Sequence, residues 1–176
     1  VNTGSNSFSE SNINSFGDFT TSSTIAILSS QNGDWNLGST WLGGIAPNSA
    51  SDAVILNTHT VTLTADATIN ALTIDNGGAI ATNGNKLSLS SNFISNGNYD
   101  SNGEIEFIGS TTQTIEGVTR FNNLTINNST GVNIISGTDS ITGTLTLTSG
   151  NFETNAAFTL ISNASGSARI GTITGG

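Results

Sequence analysis

Cysteine is absent from all 176 residues, so neither a disulfide nor thiol chemistry is available to this chain. That absence is compatible with secretion without requiring it. Methionine is absent too, even at position 1, and the chain is therefore expected to be processed or to be a piece of something longer. Charge is scarce. Only 9% of residues are charged, against ~25% in an average globular domain. Three are basic (Lys86, Arg120 and Arg169) against twelve acidic, for a net charge of −9. Such a chain cannot neutralise a row of phosphates, which removes nucleic acid as a partner, and it has no attraction for an anionic lipid surface. No apolar run approaches the ~20 residues needed to span a bilayer, and no charged-then-apolar signal segment stands at the start. A helical stripe of period 3.6 is missing as well. With 21 glycines and many β-branched residues, helices are not expected.

What fills the chain is Asn, Thr, Ser and Gly, interrupted by short alternating apolar runs. This composition alone would suit a disordered chain. From residue 53 onward, however, the apolar residues are periodic, and period is what disorder lacks. Leu72-Thr73-Ile74, Leu87-Ser88-Leu89, Leu124-Thr125-Ile126 and Leu145-Thr146-Leu147 repeat one form. Val61 and Leu63 share a side of another alternating run, and Ile105 with Phe107 a further one. Asn-Gly pairs between the runs supply turns.

The last apolar residues of successive runs fall at 74, 89, 107, 126 and 147, at intervals of 15, 18, 19 and 21. A strict six- or nine-residue repeat is excluded. An irregular coil of roughly 18–20 residues is what a parallel β-helix tolerates, because its turns absorb the variation. The reading is an all-β chain, a right-handed parallel β-helix (β-solenoid) with an N-terminal capping segment. The alternative, an antiparallel sandwich, also gives short strands and Asn-Gly turns, but it has no reason to repeat one local sequence. Ile74, Leu89, Phe107, Ile126 and Leu147 are expected to line one interior column.

Two segments are distinguished. Residues 1–33 form a polar, low-complexity N-terminal segment that caps the solenoid or contacts a neighbour, with a buried strand expected at Ile25–Leu28; residues 34–176 form the β-helix. Trp35 and Trp41, with the only proline, Pro47, occupy a turn-rich stretch. They are candidates for closing the first coil, which has no neighbour beneath it.

Candidate chemistry is sparse. His59 lacks a cysteine or a recognisable nucleophile elbow to serve, and reads as structural. Glu104 and Glu106 lie two apart, so both face one way from a strand, with Lys86 one coil below. That is the minimum for a carbohydrate-active site, and a solvated strand face explains it equally. No calcium loop or nonapeptide repeat is present, although stacking can bring Asp66, Asp75, Asp100 and Asp139 together. Thr58-Thr60-Thr62-Thr64 and Thr144-Thr146-Thr148 raise an ice-binding array, but ordinary strand propensity accounts for them. No catalytic residue, metal site or cofactor is expected.

The order of motifs resembles a known family. Asp34-Trp35-Asn36, Trp41-Leu42-Gly43-Gly44, Pro47 and Asp52-Ala53-Val54-Ile55 come first. Then follow His59-Thr60-Val61-Thr62-Leu63, Phe121-Asn122-Asn123-Leu124-Thr125-Ile126, Gly143-Thr144-Leu145-Thr146-Leu147 and Ala168-Arg169-Ile170-Gly171. Over about 33–176 this is similar to the β-solenoid modules of large secreted, adhesin-like surface proteins of the Bacteroidota exported by the type IX system, without that family's C-terminal secretion domain. The resemblance implies a secreted or cell-surface structural or adhesive module. Its partners would be copies of itself, neighbouring repeats of a longer chain or surface glycans. It also implies a candidate O-glycosylation at Ser140, within Asp139-Ser140-Ile141. The alternative function is a carbohydrate-active enzyme or a glycan-binding module.

Overall fold

The computed structural model describes residues 25–100, 102–162 and 166–174. The chain winds as a parallel β-helix, laying one short strand on each of three faces per winding. Face 1 stacks seven strands, Ile27–Leu28, Asp52–Ile55, Ala71–Ile74, Phe93–Ser95, Gln113–Gly117, Val132–Ile134 and Phe152–Glu153. Face 2 stacks Gly33–Asp34, Thr60–Thr62, Ala79–Ala81 and Asn98–Asp100, and is continued by Arg120–Phe121, Ser140–Ile141 and Thr159–Leu160. Face 3 stacks Ala67–Ile69, Lys86–Leu89, Glu104–Phe107, Asn123–Asn127, Thr144–Ser149 and Arg169–Ile173.

Every strand pair is parallel, which excludes the sandwich. At ~4.8 Å per strand the seven-stranded face is about 30 Å long.

Alternation decides which side chains enter. On face 3, Ile105 and Phe107 are fully buried while Glu104 and Glu106 point outward and are half-buried. Stacking in register then builds columns: Leu87, Ile105, Leu124 and Leu145 touch in one, and Ala53, Leu72, Phe93, Ile115 and Ile134 in another. Each fully buried Leu, Ile or Phe contributes about 1.5–3 kcal/mol relative to exposure.

One expectation fails here. Ile74 does not belong to the column of Leu89, Phe107, Ile126 and Leu147. It lies on face 1 between Ile55 and Ser95, and the residue beneath Leu89 is Ile69. The cause is a corner at the single residue Asn70, which separates Ala67–Ile69 from Ala71–Ile74. The run reads as one strand in sequence but is folded across two faces. With Ile69 in place the column's steps are 20, 18, 19 and 21 residues, and the odd 15 vanishes.

The asparagines and aspartates at the corners have a specific task. A corner breaks the backbone ladder, and a side-chain oxygen restores one rung across it. Asn32 Oδ1 accepts from the Thr60 N–H (2.7 Å), Asp66 Oδ1 from Lys86 (2.8 Å), Asn92 Oδ1 from Thr114 (2.9 Å) and Asn123 Oδ1 from Thr144 (2.9 Å). Glycine is required at one corner stack. Gly117 and Gly137 both adopt positive φ (+98° and +93°), and a Cβ on Gly137 would run into the Gly117 carbonyl.

The ends differ from the middle. At the first winding Trp35 and Trp41 are buried, edge to face at 5.1 Å, and the Trp41 indole N–H donates to the Trp35 carbonyl (2.8 Å). Pro47 is buried as well. The return of the chain covers the outer edge of face 1. The Ser30 N–H donates to the Thr40 carbonyl (2.8 Å), the Leu42 N–H to the Leu28 carbonyl (2.8 Å), and Ser29 and Trp41 form the lone antiparallel bridge. The strand expected at Ile25–Leu28 is shorter and less enclosed: only Ile27–Leu28 pairs, both half-buried, and Ile25 is 87% exposed. Residues 1–24, expected to cap the solenoid or contact a neighbour, lie outside the described residues.

Candidate functional site

The outer side of face 3 gathers the acids and the lysine that the sequence singles out. Glu104 sits opposite Lys86, and Glu106 opposite Ser88. Lys86 Nζ pairs with Glu106 Oε2 at 2.8 Å, the Ser88 hydroxyl donates to the same oxygen (3.0 Å), and Asn127 Nδ2 to Oε1 (3.4 Å). The Thr125 hydroxyl donates to Glu104 Oε1 at 2.6 Å. Burial pushes the Glu106 carboxyl up, but the hydrogen bonds from Lys86, Ser88 and Asn127 and the lysine charge outweigh it and hold the group below the usual carboxylate range. The Glu106 hydrogen bond raises Lys86 in turn, against a smaller opposing effect of burial. A carboxylate held ionised does not serve as the proton donor that glycoside cleavage requires.

His59 does meet a serine, which its isolation in sequence does not suggest. Its Nδ1 lies 2.8 Å from Ser29 Oγ, one winding below. Ser29 is buried, and its Oγ also accepts from the Leu56 N–H (2.9 Å). A nucleophile must be reachable by substrate, and this hydroxyl is enclosed and engaged by the backbone, so the pair ties two windings together.

The threonine array does not form. The outward column of face 3 reads Thr68, Ser88, Glu106, Thr125 and Thr146, and Thr62 stacks between Asp34 and Ala81. Among the described residues no three His, Cys, Asp or Glu side chains converge as metal ligands.

Asp139 and Ser140 sit at the start of a face 2 strand. Ser140 is half-buried, and its N–H donates to the Thr119 carbonyl (2.9 Å). Asp139 is fully buried: Oδ1 accepts from the Thr119 N–H (2.8 Å), and Oδ2 has no partner among the described residues. Burial raises its carboxyl to about 6, against the opposing Thr119 hydrogen bond.

Comparison with known proteins finds no match among family models, curated proteins or solved structures. The site must therefore be read from its own chemistry.

Two features escape the sequence reading. One is a buried amide network at a corner. Gln113 Nε2 donates to the carbonyls of Leu89 (3.0 Å) and Ser91 (2.5 Å), while its Oε1 accepts from the Gly109 N–H (2.8 Å) and from Asn128 Nδ2 (2.9 Å). The other is an open cleft of about 560 Å³ where face 2 turns into face 3, lined by Arg120, Arg169, Asn102, Asn122, Asn123 and Thr144 among others. Neither cluster carries a sequence motif. In each, residues of different windings, up to 67 positions apart, meet only through the stacking register.

Proposed function

We propose that this chain is a structural, adhesive module of an extracellular surface protein or fibre, whose windings are continued end to end. The observation that carries this reading is where the exposed apolar side chains lie. Of the nine large hydrophobic residues exposed among the described residues, Ile25, Leu37, Leu42 and Ile45 belong to the first winding and its return, and Leu160, Ile170 and Ile173 to the last. Ile170 and Ile173 stack on the inward-facing Leu145 and Leu147 and are themselves exposed among the described residues. Contiguous apolar surface of this kind marks contact sites, and a sheet edge is a template for another strand. The sides of the rod present mostly uncharged amides and hydroxyls, with Lys86, Glu104 and Glu106 on face 3 and the exposed Val118 and Ile135 as exceptions. The resemblance to Bacteroidota surface modules supports a secreted or cell-surface location.

The competing reading, a carbohydrate-active enzyme, gains the convergence of Lys86, Glu104 and Glu106 on one face. Against it, Glu106 is tied to Lys86 at 2.8 Å and held ionised, which unsuits that residue as proton donor. Glycan stacking on Trp41 is disfavoured by its burial.

Sedimentation velocity with negative-stain electron microscopy over a concentration series tests the proposal. Rods lengthening with concentration are expected. Ile170→Asp with Ile173→Asp, or Leu42→Asp with Ile45→Asp, should hold the protein monomeric at an unchanged unfolding midpoint. A wild-type protein that stays monomeric up to millimolar concentration would refute end-to-end continuation.

A further inference from the structure

The cleft between faces 2 and 3 concentrates charge of the scarce sign. Two of the three cations in a chain of net charge −9 line it, and among the described residues no acidic side chain does. Both arginines are exposed, and neither guanidinium makes an ion pair or hydrogen bond among the described residues. An arginine kept for stability would be expected to pair with an acid; these two are exposed and make no such pair among the described residues.

The remaining lining is amide and hydroxyl. Asn123 Oδ1 is taken by the Thr144 N–H, which leaves its Nδ2 donor without a protein partner, and Asn122 Nδ2 reaches only the Asn102 carbonyl at 3.3 Å. Gly143 keeps the floor open, since a Cβ there would come within 2.5 and 2.6 Å of the Asn122 and Asn123 side-chain oxygens. No aromatic or large apolar side chain lines the space, so it offers nothing to a stacked ring or a greasy ligand.

Spacing narrows the ligand further. Arg120 lies on the winding that carries Asn123. Asn123 is followed one winding on by Thr144, and Thr144 pairs with Arg169 on the next. The two arginine backbones are thus two windings apart, about 10 Å along the axis. That separation suits successive acid groups on a chain better than one small anion held by both. Guanidinium forks match carboxylates bidentately, and free amides and hydroxyls suit sugar hydroxyls.

We propose that this cleft binds a carboxylate-bearing oligosaccharide, with Arg120 and Arg169 each gripping one acidic sugar. The inference gives a ligand class to the adhesive part of the reading above. It is read out by binding, whereas end-to-end continuation is read out by particle length, so either can fail alone.

The test titrates the full chain with a tetragalacturonate by calorimetry, with a neutral cello-oligosaccharide of equal length and a tetraglutamate peptide in parallel. Binding of the uronate alone is expected, weakening as salt is raised. R120Q with R169Q should weaken it by at least about tenfold. R120K with R169K, which keeps the charge but loses the fork, should fall between, and K86Q, the cation outside the cleft, should bind as wild type. Because both arginines are exposed and unpartnered among the described residues, the unfolding midpoint should be the same in the arginine variants. No uronate binding at millimolar ligand would overturn the proposal. So would equal binding of the neutral sugar or of the peptide, or indifference to the glutamine pair.

Discussion

Replacing Asp139 with asparagine should stabilise the protein at neutral pH and leave it little changed in mild acid. The carboxyl is fully enclosed, with one oxygen satisfied by the Thr119 N–H and the other unpartnered, and burial raises it to about 6. In the unfolded chain the same group titrates near ~3.9. Between those two values the native state holds a proton that the unfolded state has lost, so stability falls as pH rises through the window and levels off above it. A displacement of this size corresponds to at most about 3 kcal/mol, or about 6–12 °C in unfolding midpoint for a domain of this length. Asparagine keeps the oxygen that accepts from Thr119 and carries no titratable proton. The assay is urea unfolding of wild type and D139N from about pH 4 to about pH 7.5. The advantage of the variant should grow through the window and then hold steady. Glu106 acts in the opposite sense: its lowered carboxyl contributes stability that is lost as pH falls through its folded value, below ~4.3. That contribution is common to both proteins and cancels in the difference. A difference that is flat with pH, or one that favours wild type at neutral pH, would refute the argument.

Two further substitutions test the corners. Gly137→Ala places a methyl group against the Gly117 carbonyl at positive φ, and should cost at least about 2 kcal/mol in chemical unfolding; an unchanged midpoint would mean that the stacked glycines are not in contact. Gln113→Leu strands the Ser91 carbonyl and the Gly109 N–H, while the Leu89 carbonyl keeps the Ile108 N–H and Asn128 Nδ2 keeps the Thr111 carbonyl. It should cost about 2–4 kcal/mol, and hydrogen exchange should rise first at Gly109.

The interior was largely readable from the chain because alternation has a fixed meaning on a strand: Ile105 and Phe107 go in, Glu104 and Glu106 stay out. Register was harder. Leu72-Thr73-Ile74 has the same local form as Leu87-Ser88-Leu89, yet the two lie on different faces, because a one-residue corner at Asn70 leaves no gap in the apolar rhythm. Lys86 was legible one coil below Glu104 and Glu106, where the structure has it, but most contacts between windings were not. The Ser29–His59 pair, the Gln113–Asn128 network and the Arg120–Arg169 cleft each join residues whose separation depends on the lengths of intervening turns. Those lengths vary, and no local pattern records them.

Because each winding contributes a single strand to every face, the hydrogen bonds between windings run along the axis of the rod. Tension applied between the two ends therefore loads those bonds a few at a time, starting at an outermost winding. Such a body yields by peeling, one turn of chain after another, and re-forms in the reverse order when slack returns. A tether made this way would give gradually under a sudden pull.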